Sequence, residues 1–254
     1  MQYIAEATPP GVTRIDDETL HPDPLRITFS YDQATVAGRE LGAPSVAALD
    51  LLDKPLPEGI QMEPELAGEW RWENDRELRF EPEQDWPAEQ QYTVTFAPAL
   101  FNEDVRLAEK RLRFVTPAFS GSLESIEFYQ DPVDRKIRRV VATLNFTHAV
   151  DPASLESELR LGMRPSGAGI ETKPVKYDFA ITYDKHRRKA YIHSGAIELP
   201  EKSNYMRLEL PAGVKSYLGK AKTADGISGE AVSYTHLRAH ETVLDLVCRL
   251  LLEK

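Results

Sequence analysis

The stretch "GEWRWENDRELRFEPEQDWPAEQQYTVTF", Gly68 to Phe96, holds all three tryptophans of the chain within seventeen positions. Clustered indoles either stack against a sugar or fill a core, and strand parity decides between the two. Successive side chains of a β-strand point to opposite faces. Trp70, Trp72, Leu78 and Phe80 share one parity, whereas Arg71, Glu73, Glu77 and Arg79 share the other. One face is apolar and the other charged, with Asn74-Asp75 placed where a tight turn would join two antiparallel strands. The tryptophans of this hairpin therefore face inward. Burying one large aromatic removes roughly 150–250 Å² from water, worth several kcal/mol at about 25 cal/mol per Å². Trp86 lies outside the alternation, in "EQDWPAEQQ", and is the one ring expected to be partly exposed.

The same period of two recurs outward from this hairpin. Leu25, Ile27 and Phe29 alternate with polar residues, as do Tyr92, Val94 and Phe96. Val140, Ala142, Leu144 and Phe146 follow the pattern, and so do Met206, Leu208 and Leu210. Short alternating segments, eighteen prolines and polar turns predict an all-β chain of antiparallel β-sandwiches. The chain also repeats itself. "LRITFSYDQATVA" resembles "ATLNFTHAVDPAS", with Phe29 against Phe146. Trp70–Phe80 corresponds to Ala180–Ile192, and "WPAEQQYTVTF" to "LPEKSNYMRLEL" with Tyr92 against Tyr205. The offsets all fall near about 115 residues. Two tandem Ig-like sandwich domains are expected, at 20–117 and 118–232, with their joint at "FVTPAFSGS". Residues 1–19, rich in proline and acid, read as a flexible lead-in. The second domain is expected to lack the closing strand that "EKRLRFVTP" supplies in the first.

From Ser233 the pattern changes to helical spacing. Leu244, Val247, Cys248 and Leu251 form one stripe. The segment 233–254 resembles a stretch found at the ends of unrelated metagenomic reading frames, where it is translated adapter or vector sequence. It is expected to be foreign to the protein, whose own sequence would break off near Val232.

Composition narrows the function classes. A length of 254 residues with 41% hydrophobic and 28% charged residues suits one large or two medium domains. The net charge of −10 argues against a nucleic-acid partner, which needs a basic stripe. The basic runs "RKIRR" (Arg135–Arg139) and "KHRRK" (Lys185–Lys189) read as solvated surface, the second at a hairpin tip. No apolar run approaches the roughly 20 residues of a membrane helix, and the start has no basic-then-apolar signal pattern. The lone Cys248 forms no intrachain disulfide.

Chemistry-bearing constellations are sparse. His236 and His240, four apart with Glu241 adjacent, have a metal-ligand spacing, but no clear third ligand accompanies them and no metal site is assigned. His148, His186 and His193 lie in or beside strand-like segments without partner spacing. Asp131/Asp134 and Asp16/Asp17 occupy turn-rich sequence, where capping outranks acid-base work. "DPVD" and "DPAS" read as turns. No "GxSxG" elbow occurs, and "GRELGAPS" lacks a phosphate-loop ending. No catalytic, cofactor-binding or metal residue is expected, nor any cofactor, and the chain is not expected to be an enzyme.

"EWRWENDRELRFEPEQDWPAEQQYTVTF", "LRFVTPAFSGSLESIEFYQDP" and "VVATLNFTHAVDPASLESELRL" together resemble the N-terminal region of bacterial alpha-2-macroglobulins. "EFYQDP" (Glu127–Pro132) with the run after it is the most specific part, and the likeness extends over Leu25 to Val232. The resemblance implies macroglobulin-like β-sandwiches in a long chain exported to the periplasm, often as a lipoprotein. It implies inhibition of endopeptidases by a bait segment whose cleavage triggers collapse around the protease, with a thioester in many members. The thioester pattern is Cys-X-Glu-Gln, whereas Cys248 is followed by Arg249, Leu250 and Leu251. No bait region or lipid-attachment cysteine is recognisable, so no functional residue carries over. The expected partners are other domains of the same parent chain and, through the parent, proteases, with any membrane contact made by a lipid anchor. Two other readings fit the same residues: tandem Ig-like modules of a surface adhesin, or a carbohydrate-binding module with exposed rings.

Overall fold

In the computed structural model, residues 2–31, 45–52, 54–56, 58–130, 138–165, 175–197 and 204–233 are described. The first half contains β1 (Gln2–Thr8), β2 (Arg14–Asp16), β3 (Thr19–His21), β4 (Leu25–Tyr31) and β5 (Ile60–Glu63). It continues with β6 (Gly68–Asn74), β7 (Glu77–Pro82), β8 (Gln91–Phe96), β9 (Arg106–Leu107) and β10 (Arg111–Val115). The second half contains β11 (Gly121–Gln130), β12 (Arg138–Phe146), α1 (Pro152–Glu158), β13 (Arg160–Pro165) and β14 (Val175–Lys176). It ends with β15 (Phe179–Tyr183), β16 (Lys189–Ser194), β17 (Asn204–Leu210) and β18 (Ile227–Ser233).

One strand order is written twice. A sheet β6-β7-β4-β1-β9 packs on a sheet β10-β8-β5, and β15-β16-β12-β11 packs on β18-β17-β13-β14. Each pair of sheets closes over its own apolar cluster, one centred on Phe29, Trp72, Phe80 and Val94, the other on Leu144, Ile192, Met206 and Leu208. The architecture is all-β and sandwich-like, as alternation requires when one face of each sheet must leave water. The β6–β7 hairpin follows its parity: Trp70 and Trp72 are 8% and 1% exposed, and Phe29 meets Trp72 at 5.4 Å. Its charged face carries Arg71–Glu81 at 2.9 Å and Arg79–Glu81 at 3.0 Å, exposed pairs worth about 0–1 kcal/mol each. The turn is Asp75-Arg76, one residue later than expected. A bulge between Trp72 and Asn74 takes up Glu73, and the Asn74 side-chain oxygen accepts the Arg76 N–H at 2.9 Å.

Gly68 opens β6 where the backbone passes close to its partner. A Cβ there would overlap the Glu81 carbonyl oxygen and lie 2.5 Å from Phe80 Cζ. Gly68→Ala is therefore expected to cost roughly 1–3 kcal/mol in urea unfolding, the range for overpacking a filled site. A loss near zero would mean that the strand slides without resistance.

Five expectations are corrected. The lead-in expected over 1–19 is structured from Gln2 onward: β1 pairs antiparallel with β4 over Tyr3–Thr8 and parallel with β9, and β2 and β3 form a hairpin. Its signal is faint because the inward positions after buried Tyr3 are the small residues Ala5 and Ala7. The second half does have a closing strand, β18, paired with β17 from Asn204 to Leu210. That strand escaped notice because its inward face is small. Leu123 of β11 fills the space a Cβ would take at Gly229, and Ala231 is buried. Trp86 is 1% exposed rather than open. "DPAS" begins α1, with Pro152 in the first turn, where its missing N–H is no loss, and Leu155 N donating to Asp151 O at 3.0 Å. Tyr205 does not match Tyr92. Tyr92 is buried, and burial pushes its phenol up to about 12, whereas Tyr205 is exposed. The inward residues of β17 are Met206, Leu208 and Leu210, so aligning the tyrosines slips the register by one and inverts the faces.

Among the described residues, no helix is long and apolar enough to cross a membrane.

Candidate functional site at the junction of the two halves

The loop after β7 supplies three anchors within four residues, Asp85, Trp86 and Ala88, with three destinations. Asp85 is buried at the junction. Trp86 enters the first core, 5.4 Å from Tyr92 and 5.8 Å from Phe80, and its Nε1 donates to the Asp23 carbonyl at 2.8 Å. Pro87 then turns the chain so that Ala88, 3% exposed, joins the second core beside Phe119. Thr116 ties the loop to the connecting strand. Its hydroxyl donates to the Pro87 carbonyl at 2.6 Å and accepts the Gln90 N–H at 2.9 Å. A loop with three masters has no periodicity, which is why Trp86 falls outside the alternation.

Facing this loop is the β15–β16 hairpin tip. The Asp184 carboxylate accepts the backbone N–H groups of Arg188 and Lys189, each at 2.7 Å, and Arg187 adopts a φ of 55°. This tight tip projects Arg188 into the first half. Its guanidinium donates to Asp85 Oδ2 and to the Thr13 carbonyl, both at 2.6 Å, while the Thr13 hydroxyl donates to Asp85 Oδ1 at 2.5 Å. The ion pair is dry, with side chains only 6% and 11% exposed. Beside it, the His186 ring lies 2.7 Å from the carbonyl of Glu18 at the β2–β3 tip, and Lys185 reaches the same oxygen at 3.4 Å. "KHRRK" is therefore not a solvated run throughout. Arg188 is its buried member, and Arg187 lies over the Tyr217 ring at 4.2 Å. An open cleft of about 610 Å³ runs along this seam, lined by Thr13, Glu18, Asn145, His186 and Tyr191 among others.

His148 is buried, 4% exposed, with Nδ1 3.0 Å from the Thr147 hydroxyl. Burial pushes its imidazole below the ordinary value of 6.5; nearby Asp85 and Glu89 oppose that shift and Arg188 adds to it. The folded state thus binds the proton less readily than the unfolded chain. Stability from this group is complete above pH 6.5 and declines as the pH falls below that value toward the lower folded pKa. His148→Gln is expected to flatten the dependence of the melting temperature on pH below 6.5; an identical slope in both proteins refutes the assignment.

The other sequence candidates do not converge. Asp16 and Asp17 stand at the β2–β3 turn, where Asp17 has a φ of 47°. His193 lies on β16, paired with Val141 and Ala180, apart from His186 and His148. His236, His240, Glu241 and Cys248 lie outside the described residues, as do Asp131 and Asp134. Among the described residues, no group of three or more His, Cys, Asp or Glu side chains could hold a metal ion. The arrangement at the seam is suited to fastening, with its charges spent on each other.

Comparison with known proteins follows the same lines. No family model matches the chain. It is 31% identical over 180 residues to an alpha-2-macroglobulin homolog of Yersinia pestis, covering 70% of this chain and 9% of that protein. It is 28% identical over 216 residues to an alpha-2-macroglobulin of Pasteurella multocida, covering 83% of this chain and 11% of that protein. An alpha-2-macroglobulin of Rickettsia conorii is 25% identical over 190 residues, covering 75% and 9%. The chain thus spans about a tenth of the length of the curated relatives it matches.

Proposed function

The chain is related to the bacterial alpha-2-macroglobulin family, and from that premise we propose that it is an N-terminal scaffold segment of a periplasmic endopeptidase inhibitor. Its two sandwiches, with domain limits at about 2–117 and 118–233, act as a fastened spacer that positions the trapping machinery elsewhere in the parent. The observation that carries this reading is the junction. Asp85 and Arg188 neutralise each other at the seam, Thr13 is hydrogen-bonded to both, and Ala88 belongs to the neighbouring core. Such an arrangement makes a strut out of two domains, with the charges of Asp85 and Arg188 spent on each other. The tryptophans, 8%, 1% and 1% exposed, offer no ring platform to a sugar.

The test is a paired inhibition assay. The intact parent is expected to protect a protein substrate from a broad-specificity endopeptidase. The purified segment is expected to leave cleavage unchanged at any molar ratio. Inhibition by the segment alone, or a parent reading frame that ends in a surface anchor after further short repeats, overturns the proposal.

A further inference from the structure

We propose that His148 makes the seam between the two sandwiches a pH-sensitive joint, in which uptake of one proton at Nε2 favours parting of the Asp85–Arg188 clasp while both sandwiches stay folded. The inference concerns the joint alone and holds whatever the parent chain does.

His148 sits where several pieces of the seam meet. Its segment is stitched to the tip that carries the clasp, with Phe146 N donating to Arg188 O and Val150 N to Arg187 O, each at 2.8 Å. On one side, Thr147 N donates to Ser120 O at 2.9 Å, at the start of the second half. On the other, Tyr217 N donates to Ala149 O at 2.7 Å, and the same loop brings Gly219 against Pro87 and Ala88 of the loop after β7. The ring between them is 4% exposed. The hydrogen bonds around Thr147 assign its tautomer. The Thr147 hydroxyl gives its one hydrogen to the Ala118 carbonyl and accepts the Ser120 N–H, each at 3.0 Å, so toward the ring it accepts again, from Nδ1–H at 3.0 Å. Nε2 is left as the base.

Three charges act on the ring: Asp85 and Glu89 from the loop after β7 and Arg188 from the β15–β16 tip. Asp85 is already engaged by Arg188 and Thr13, and Glu89 is exposed to water. Of the other cations on the tip, Arg187 lies over Tyr217, and Lys185 and His186 reach the Glu18 carbonyl. Nε2–H of His186 donates to that carbonyl whether the ring is neutral or charged, so its titration does not break the contact. A cation on His148 competes with Arg188 for one carboxylate, in a place from which burial excludes water. Parting the halves gives the imidazolium water and restores its ordinary proton affinity. The open form therefore binds the proton more tightly, and acid favours it. Because burial holds the closed-state imidazole below 6.5, the clasp keeps its full strength above pH 6.5 and weakens as the pH falls below that value. One proton raises the ratio of open to closed by up to about tenfold per pH unit.

Double electron–electron resonance on the full chain reads the joint. Nitroxides go on Leu49→Cys and Tyr205→Cys, exposed positions in opposite halves, in a Cys248→Ser background. At about pH 8 one narrow distance is expected, and toward about pH 5 a broad component grows while far-ultraviolet circular dichroism stays constant. The His148 ring resonance titrates over the same range. Arg188→Ala gives the broad component already at about pH 8, which shows that the labels report the clasp. His148→Gln and His148→Asn, neutral amides able to donate to Thr147, keep the distance narrow throughout, and whichever of them folds suffices. His186→Gln leaves the response intact. A constant distance in the unsubstituted chain overturns the inference. So does a response that survives replacement of His148, which makes Asp85 the trigger, or a loss of circular dichroism in step with the distance change, which means that a sandwich melts instead.

Discussion

Replacing Arg188 with alanine is expected to lower the stability of the chain by about 3–5 kcal/mol, the cost of leaving a buried carboxylate without its partner. Asp85 has nowhere to turn, because its other hydrogen bond is from Thr13 and the site is dry. Asp85→Ala should cost a similar amount by stranding the guanidinium at the hairpin tip. The double variant should cost much less than the sum, since the two changes remove one interaction. A paired Asp85→Leu/Arg188→Leu replacement should regain much of the loss, because a well-packed apolar contact replaces a buried ion pair at little or no cost. Calorimetry adds a second readout. The unsubstituted chain is expected to melt as one unit, and Arg188→Ala to separate the transition into two as the halves uncouple. A single unshifted transition, or a loss within about 0.5 kcal/mol as for an ordinary surface change, rules out the clasp.

Trp72→Ala should cost about 3–5 kcal/mol, the range for truncating a large aromatic in a packed core. The ring lies 5.4 Å from Phe29 and 6.1 Å from Phe101 and is 1% exposed. Its indole nitrogen has no hydrogen-bond partner. Trp72→Phe therefore loses volume but no bond and should cost about 1–2 kcal/mol, well below the alanine value, through the small cavity it leaves. Trp86→Phe makes the contrast. It strips the Asp23 carbonyl of its donor and should cost about 1–3 kcal/mol for that alone. Urea titrations of the three variants check the order, and equal losses for both phenylalanine replacements would remove the role given to the Trp86 bond.

Strand parity made the sandwiches legible because it is a local property. Trp70, Trp72, Leu78 and Phe80 reveal their face within eleven residues. The repeat was legible for the same reason, although the tyrosine pair misled by one position, since chemical identity is a weaker guide to register than alternation. What stayed hidden depends on residues distant in sequence. Arg188 meets Asp85 across 103 positions, and nothing in "KHRRK" marks one of its cations as buried. Strands β1 and β18 were obscured for a different reason: close approach of a neighbour selects alanine and glycine, which carry little periodic signal. The cleft at the seam could not be seen in advance, being formed by two hairpin tips whose meeting neither sequence encodes alone.

The loop that sends Trp86 one way and Ala88 the other has a consequence for how such proteins can be rearranged. A recombination breakpoint between the sandwiches would leave each fragment carrying a wound: an acid stripped of its counter-ion on one, and an arginine beside an emptied socket on the other. Shuffling, grafting or subcloning therefore has to treat the pair as the smallest exchangeable cassette, and insertions belong at the outer ends of the strut.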